Sequence, residues 1–239
     1  RTFTLENYSQ FLSDPHWYQA FLVTIARTLS GTILGVLFTC LVAYGLSHRD
    51  LLLHKFYFTV IIFAMYFSGG LIPYYVVLRS VGLLNSFGVY IIPSMLRTFF
   101  LLIAISFFRE IPGELKESAH IDGANEFVIY YRIVLPVSKP LIATMALFMG
   151  VGQWNSWLDS AYFVQSEELR TLAFRMMEVI NRSNAPMDAI AVANSASAGV
   201  TSYSLQVAAM VISIAPIVCV YPFLQKFFIQ GIMLGSVKG

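Results

Sequence analysis

Charge is scarce in this sequence. Of 239 residues only 12% are Asp, Glu, Lys or Arg, about half the share of roughly 25% found in soluble domains. With 57% hydrophobic residues, 15% aromatic residues and a mean hydropathy of +0.70, the composition selects a membrane protein. The net charge is +2 and the basic residues are scattered, which sets a nucleic-acid partner aside. Cysteine is almost absent: Cys40 and Cys219 lie in separate apolar runs without CxxC spacing, so both read as small buried hydrophobes rather than as disulfide or metal ligands. The histidines, His16, His48, His54 and His120, lack metal-ligand spacing. No phosphate loop of the GxxxxGKS or GxxxxGKT type occurs, so the chain does not hydrolyse ATP itself and no cofactor of its own is expected. The first residue is Arg1 and no charged-then-apolar leader is seen, which reads as truncation at the N-terminus.

What is abundant is long apolar sequence. A helix crossing the hydrocarbon core needs about 20 mostly apolar residues, and five runs of that scale occur: 20–47, 56–78, 88–108, 140–163 and 203–225. Helices of a soluble bundle keep a polar face, which these runs lack. The predicted fold class is all-α, a polytopic transmembrane helical bundle. Gly69, Gly70 and Pro73 should bend or unwind the second run. Arg27 stands near the start of the first, Arg97 near the middle of the third, and Asp159 near the outer end of the fourth.

Orientation follows from Lys and Arg near the span ends. Arg49, Lys55, Arg109, Lys116, Arg132, Lys139, Lys226 and Lys238 fall on one side, against Arg1, Arg79, Arg170, Arg175 and Arg182 on the other. The richer side is the cytoplasm. The expected organisation is an external segment 1–19, a transmembrane domain 20–225 with a cytoplasmic loop 109–139 and an external loop 164–202, and a cytoplasmic tail 226–239. Five spans leave the start outside, so a sixth is expected upstream in the intact protein.

The cytoplasmic loop is long and reads as two helices. Pro112 suits a first helical position, Glu114 and Glu117 suit the positive end of a helix, and Gly123 suits its stop. Ser118 and Ala119 are small enough to let the helix backbone sit in another protein's groove. A second amphipathic stretch, 125–134, runs up to Leu135 and Pro136.

Glu117-Ser118-Ala119, then Gly123, then Ile133, Leu135 and Pro136, resembles the EAA loop of binding-protein-dependent ABC importer permeases, with Ser118 in place of alanine as the one departure. The segments 43–47, 154–155, 225–231 and 235–239 resemble the carbohydrate-uptake branch related to the maltose permease, and 69–75 with 219–223 look most like its polysaccharide-type subunits. The resemblance implies a type I ABC importer permease. Its expected partners are a second permease subunit of a different sequence, an ATPase dimer that carries the ATP and Mg, an extracytoplasmic sugar-binding protein and the lipid bilayer. It implies that Glu117, Ser118, Ala119, Asp122, Gly123, Ile133, Leu135 and Pro136 form the coupling element, and that the tail, with Gly235, Lys238 and Gly239, reaches the ATPase. Two readings of Glu117 stand side by side: a contact to an ATPase arginine, or a favourable charge in the first turns of a surface helix. Asp122 reads as a helix-end residue or as a direct ATPase contact.

A charge within the membrane defaults to a functional hypothesis. Arg97 either faces the translocation cavity and meets an anionic sugar, or pairs with a carbonyl or a partner carboxylate. Arg27 lies near the outer end of its span and can snorkel. Tyr66, Tyr74, Trp154 and Trp157, with Asn155, are candidates for the substrate pathway, although aromatics also crowd membrane interfaces. Arg27 and Arg97 tilt the expected cargo toward an acidic oligosaccharide such as an alginate or pectin fragment. An ion-coupled secondary transporter would need carboxylates at mid-depth, and the spans hold only Asp159; a membrane enzyme would need clustered catalytic groups. The external loop 164–202 is longer than a tether requires, which implies a contact surface for the binding protein or a lid folded back on the permease.

Overall fold

The computed structural model describes residues 15–48 and 50–184, with isolated positions between 207 and 218. The run 203–225 lies almost wholly outside the described residues, as do the tail positions Gly235, Lys238 and Gly239. The described residues are helical, without strands.

The central element is α1, Pro15–Ser47, an unbroken helix of 33 residues, about 50 Å long at 1.5 Å per residue. Its buried stripe runs Ala20, Thr24, Arg27, Gly31, Gly35, Thr39, Ala43 and Ser47, spaced three or four apart and made of small residues apart from Arg27. In a membrane, small residues let helix backbones approach closely. A Cβ on Gly31 would stand 2.7 Å from Gln153 Nε2, and one on Gly35 2.5 Å from Met149 Cε.

Only α1 is long and apolar enough to span a membrane by itself among the described residues; three bent pairs reach span length together. The second apolar run folds as α2 (His54–Tyr66) and α3 (Leu71–Ser80), which meet at 119°. Gly70 carries φ +83 at the turn into α3, a conformation that glycine adopts without a Cβ penalty, so the glycine pair breaks the run where expected. The third run folds as α4 (Gly88–Ser94) and α5 (Thr98–Glu110), meeting at 45°. Pro93 lies in the closing 3-10 turn of α4 and has no N–H to continue the ladder. Arg97 is therefore not mid-helix: it is the extended residue that opens α5, with φ −105 and ψ 114.

The loop 109–139 forms α6 (Gly113–Ile121) and α7 (Glu126–Val137), and α7 meets α8 (Lys139–Asn155) at 78°. The middle of α7, Tyr130–Val134, is π-helical; the wider turn accommodates Pro136 just beyond it, which cannot donate to the preceding turn. The fourth run breaks again at Ser156 and Trp157 before α9 (Leu158–Phe163). The last described helix is α10 (Leu172–Asn184).

The main core joins α1, α5, α7 and α8 through Val36, Cys40, Leu101, Ile105, Phe108, Ile129, Val134, Met145 and Met149. A smaller one joins α3, α4 and α9 through Leu78, Val89, Tyr90 and Phe163. The described part of the loop 164–202 packs back on α1, α4 and α9, as in the lid reading. Leu172 N–H donates to Thr24 Oγ1 at 2.8 Å, Thr171 N–H to Ser160 Oγ at 3.2 Å, and Tyr90 OH to the Leu169 carbonyl at 2.8 Å. Its charges pair among themselves, with Arg170 and Arg175 on Glu178 at 3.1 and 3.3 Å. Residues 185–202 of the loop lie outside the described residues.

Candidate functional site

A cavity of about 230 Å³ opens where the third and fourth runs break, lined by Arg27, Tyr74, Val89, Tyr90, Pro93, Ser94, Arg97, Ser156 and Asp159. Arg27 is its buried wall, 2% exposed, and does not snorkel as its place near the span end suggests. Its Nε donates to Gln153 Oε1 at 2.9 Å, Nη1 donates to the Ser156 carbonyl at 2.9 Å, and Nη2 forms an ion pair with Asp159. The guanidinium lies over the Tyr90 ring, 4.5 Å from its centroid. Gln153 passes the network on, donating through Nε2 to Ser94 Oγ at 2.6 Å. Fork geometry suits a guanidinium to this task, because several donors act at once in a fixed plane.

Arg97 is different. Among the described residues its side chain makes no ion pair or hydrogen bond. Its guanidinium lies along α8 beside Gly152, where an added Cβ would stand 3.2 Å from Nη1. Two guanidiniums and one carboxylate thus face the cavity; Asp159 is matched to Arg27, and the charge left over sits on Arg97.

Of the predicted pathway residues, the structure brings Arg97 and Tyr74 to this cavity and leaves the others away from its lining. Tyr66 ends α2 before the 119° turn and is 82% exposed. Trp154 is buried, edge-on to Phe21 at 6.0 Å, because it points toward the early part of α1. Asn155 is exposed and Trp157 half-buried at the α8–α9 break. Residues that sequence reasoning missed are Tyr90, Ser94 and Gln153, which carry no signal beyond polarity in an apolar run. Arg27 and Asp159 were named, but not as a pair.

At the other end of α1 lies an elbow formed by α6 and α7. Gly123 has φ +81; its N–H donates to the His120 carbonyl at 3.0 Å, and Ala124 N–H to the Ala119 carbonyl at 2.9 Å. This paired closure is the Schellman arrangement that favours glycine at this position. Glu117, Ser118 and Asp122 face outward beside Leu115 and Ile121, and Ile121 is 87% exposed. Ala119, by contrast, is buried in this chain's own core, where its small size serves packing. Pro112 stands just before the first helical residue, Gly113. In α7, Ile133 and Leu135 are half-buried and Pro136 is exposed. Asn125 caps that helix, its Oδ1 accepting from Val128 N–H at 2.9 Å.

Residues 22–233 match the family described as binding-protein-dependent transport system inner membrane component. The chain belongs to that family. The permease is accordingly a membrane-embedded transport subunit and not an enzyme, and it works with ATPase and binding-protein partners. It is 36% identical over 238 residues to the polygalacturonan/rhamnogalacturonan transport system permease protein YtcP of Bacillus subtilis (strain 168), covering all of this chain and 83% of that one. It is 38% identical over 239 residues to protein LplC of the same organism, covering all of this chain and 80% of that one. A solved structure of a bacterial ABC transporter involved in the import of the acidic polysaccharide alginate matches with a TM-score of 0.85 at 26% identity. That match covers 93% of the permease and 79% of the other chain.

Proposed function

We propose that this permease, paired with a second permease chain of a different sequence, forms half of the membrane pathway of an ABC importer for acidic oligosaccharides. The cargo arrives from a sugar-binding protein outside, and the driving force comes from an ATPase dimer docked on the outward face of α6. The observation that carries the substrate class is Arg97, a cation facing the cavity whose guanidinium has no ion-pair or hydrogen-bond partner among the described residues, beside an Arg27 already neutralised by Asp159. A uronate carboxylate matches a guanidinium fork. The names of the relatives point the same way: a polygalacturonan/rhamnogalacturonan permease and an importer of acidic alginate. The outward face of α6, with Glu117, Ser118 and Asp122 flanked by exposed Leu115 and Ile121, supports docking there: buried in a complex, that apolar surface would contribute favourably.

The test is Arg97→Gln in the reconstituted transporter, with uptake of a galacturonate trisaccharide compared against a neutral trisaccharide. A hydrogen bond to a charged group contributes about 1.5–3 kcal/mol, which corresponds to a loss of roughly 10- to 100-fold in uptake of the acidic sugar at low concentration. Uptake of the neutral sugar should be unchanged or improved. Equal losses for both, or none for either, would remove Arg97 from substrate recognition.

A further inference from the structure

The geometry points to Glu126 as a positioning residue that fastens the α6–α7 elbow to the end of α1, so that a displacement of α6 is passed to the helix that lines the cavity. The inference rests on the reading of α6 as the ATPase-facing helix. Glu126 opens α7, but the capping of that helix is already done by Asn125, which leaves its carboxylate free for other partners. Those partners come from two other elements. From α1 and the residue after it, Tyr44 donates its hydroxyl to Oε2, and His48 Nε2 stands 3.7 Å from the same oxygen. From α6, His120 Nε2 stands 3.1 Å from Oε1, and the Lys116 ammonium lies 5.6 Å over the Tyr44 ring.

One carboxylate is therefore shared by the start of α7, the last turn of α6 and the end of α1. The Tyr44 hydrogen bond, opposed in part by desolvation and reinforced by His48, His120 and Lys116, holds the Glu126 carboxyl below the usual carboxylate range. Burial moves Lys116 below the usual lysine range, with Glu126 opposing. Beneath this cluster the Tyr44 and Tyr130 rings pack with centroids 5.1 Å apart, tying α1 to α7 a second time. Between Tyr44 and Arg27, α1 has no break. The two ends of that stretch are about 26 Å apart by helical rise.

A merely local role for Glu126 predicts weaker packing of α7 and nothing more. A positioning role predicts a transporter that assembles and hydrolyses ATP but converts hydrolysis into transport less well. The experiment uses the complete transporter in proteoliposomes, with Glu126→Gln, Tyr44→Phe and the two combined, measuring galacturonate trisaccharide moved per ATP hydrolysed. Each single variant is expected to lower that ratio about 3- to 10-fold, and the double to be no worse than the worse single, because both act through one contact. The concentration of loaded binding protein giving half-maximal ATP hydrolysis should not move. Glu126→Asp, which keeps the charge one methylene shorter, should restore part of the ratio.

An unchanged ratio in Tyr44→Phe and Glu126→Gln overturns the inference. Should Glu126→Gln not assemble, Tyr44→Phe and Glu126→Asp decide the question alone, and an unchanged ratio in both overturns it. Glu117→Lys, run in parallel, separates this from failure of the underlying reading: if its ATPase still co-purifies normally, α6 is not the docking helix and the inference falls with it.

Discussion

Asp159→Asn should cost more than the loss of a half-exposed surface carboxylate would suggest, because it strands Arg27. The Arg27 side chain is 2% exposed and that of Asp159 is 31% exposed. Removing one member of a buried pair costs about 3–5 kcal/mol, most of it the penalty of leaving the other charge uncompensated. Arg27 would keep Gln153 Oε1 and the Ser156 carbonyl, and water already reaches Asp159, so the expected cost falls to about 2–3 kcal/mol. For a chain of this size that corresponds to a midpoint lower by roughly 5–10 °C, read by thermal unfolding of the purified transporter in detergent. The decisive comparison is the cycle with Arg27→Gln. Once the guanidinium is gone, Asp159→Asn removes an isolated carboxylate, so the double variant should be more stable than Asp159→Asn alone. Additive losses, or a neutral Asp159→Asn, would refute the claim that these groups are a matched pair. In a folded Asp159→Asn variant the cavity would also hold two unmatched guanidiniums, and its preference for acidic over neutral trisaccharide should rise.

Gly31→Ala should destabilise by about 1–3 kcal/mol, the usual cost of overpacking, because the Gln153 amide it meets is held by Arg27 and Ser94. Gly35→Ala should cost less in the same unfolding assay, since it meets only the flexible end of Met149, and equal costs would contradict this account. Gly123→Val should weaken co-purification of the ATPase by straining the turn at φ +81, about 1–2 kcal/mol or more for a β-branched residue, whereas Gly123→Asn should be tolerated; nothing lies within 4 Å of an added Cβ, so the cost is backbone alone. Glu117→Lys should reduce ATPase co-purification with membrane insertion intact, and unaltered recovery would count against the docking assignment.

The parts legible in the sequence were those set by local spacing. The Gly123 turn was readable because a helix stop of this type needs a left-handed residue, and the break at Gly70 because a glycine pair inside an apolar run has few other uses. The inward face of Ala119 was not readable, since small residues suit a partner's groove and a tight core equally well. The Arg27–Asp159 pair joins positions 132 apart in the chain, and no local pattern connects them. A signal existed all the same: the spans held one carboxylate and two arginines, and intramembrane charges tend to pair. Arg97 was misplaced for a related reason. A run of apolar residues does not reveal where it breaks, and the break at Pro93 moved this residue from mid-helix to a corner.

Those breaks explain why α1 must be continuous. Backbone groups freed inside a membrane have no water to turn to and must be met by protein. Where α4 gives way to α5, the Met95 carbonyl accepts from Thr39 Oγ1 at 3.1 Å, and where α8 gives way to α9, the Ser156 carbonyl accepts from Arg27. Both donors stand on the buried stripe of α1, Thr39 four positions after Gly35 and Arg27 four before Gly31, the two glycines in close contact with α8. A helix that was itself broken here would need rescuing in turn. One straight helix can instead satisfy the corners of two bent ones, which leaves the bent runs free to form a cavity between them. On this argument Thr39→Val should be worse than its small change in size implies. It removes the donor while keeping the shape, and a buried carbonyl left unpaired costs about 1–3 kcal/mol. Thr39→Ser should restore most of the loss in the same unfolding assay. If Thr39→Val is as stable as the parent, the Met95 carbonyl has another source of hydrogen bonds and α1 is not what stabilises that corner.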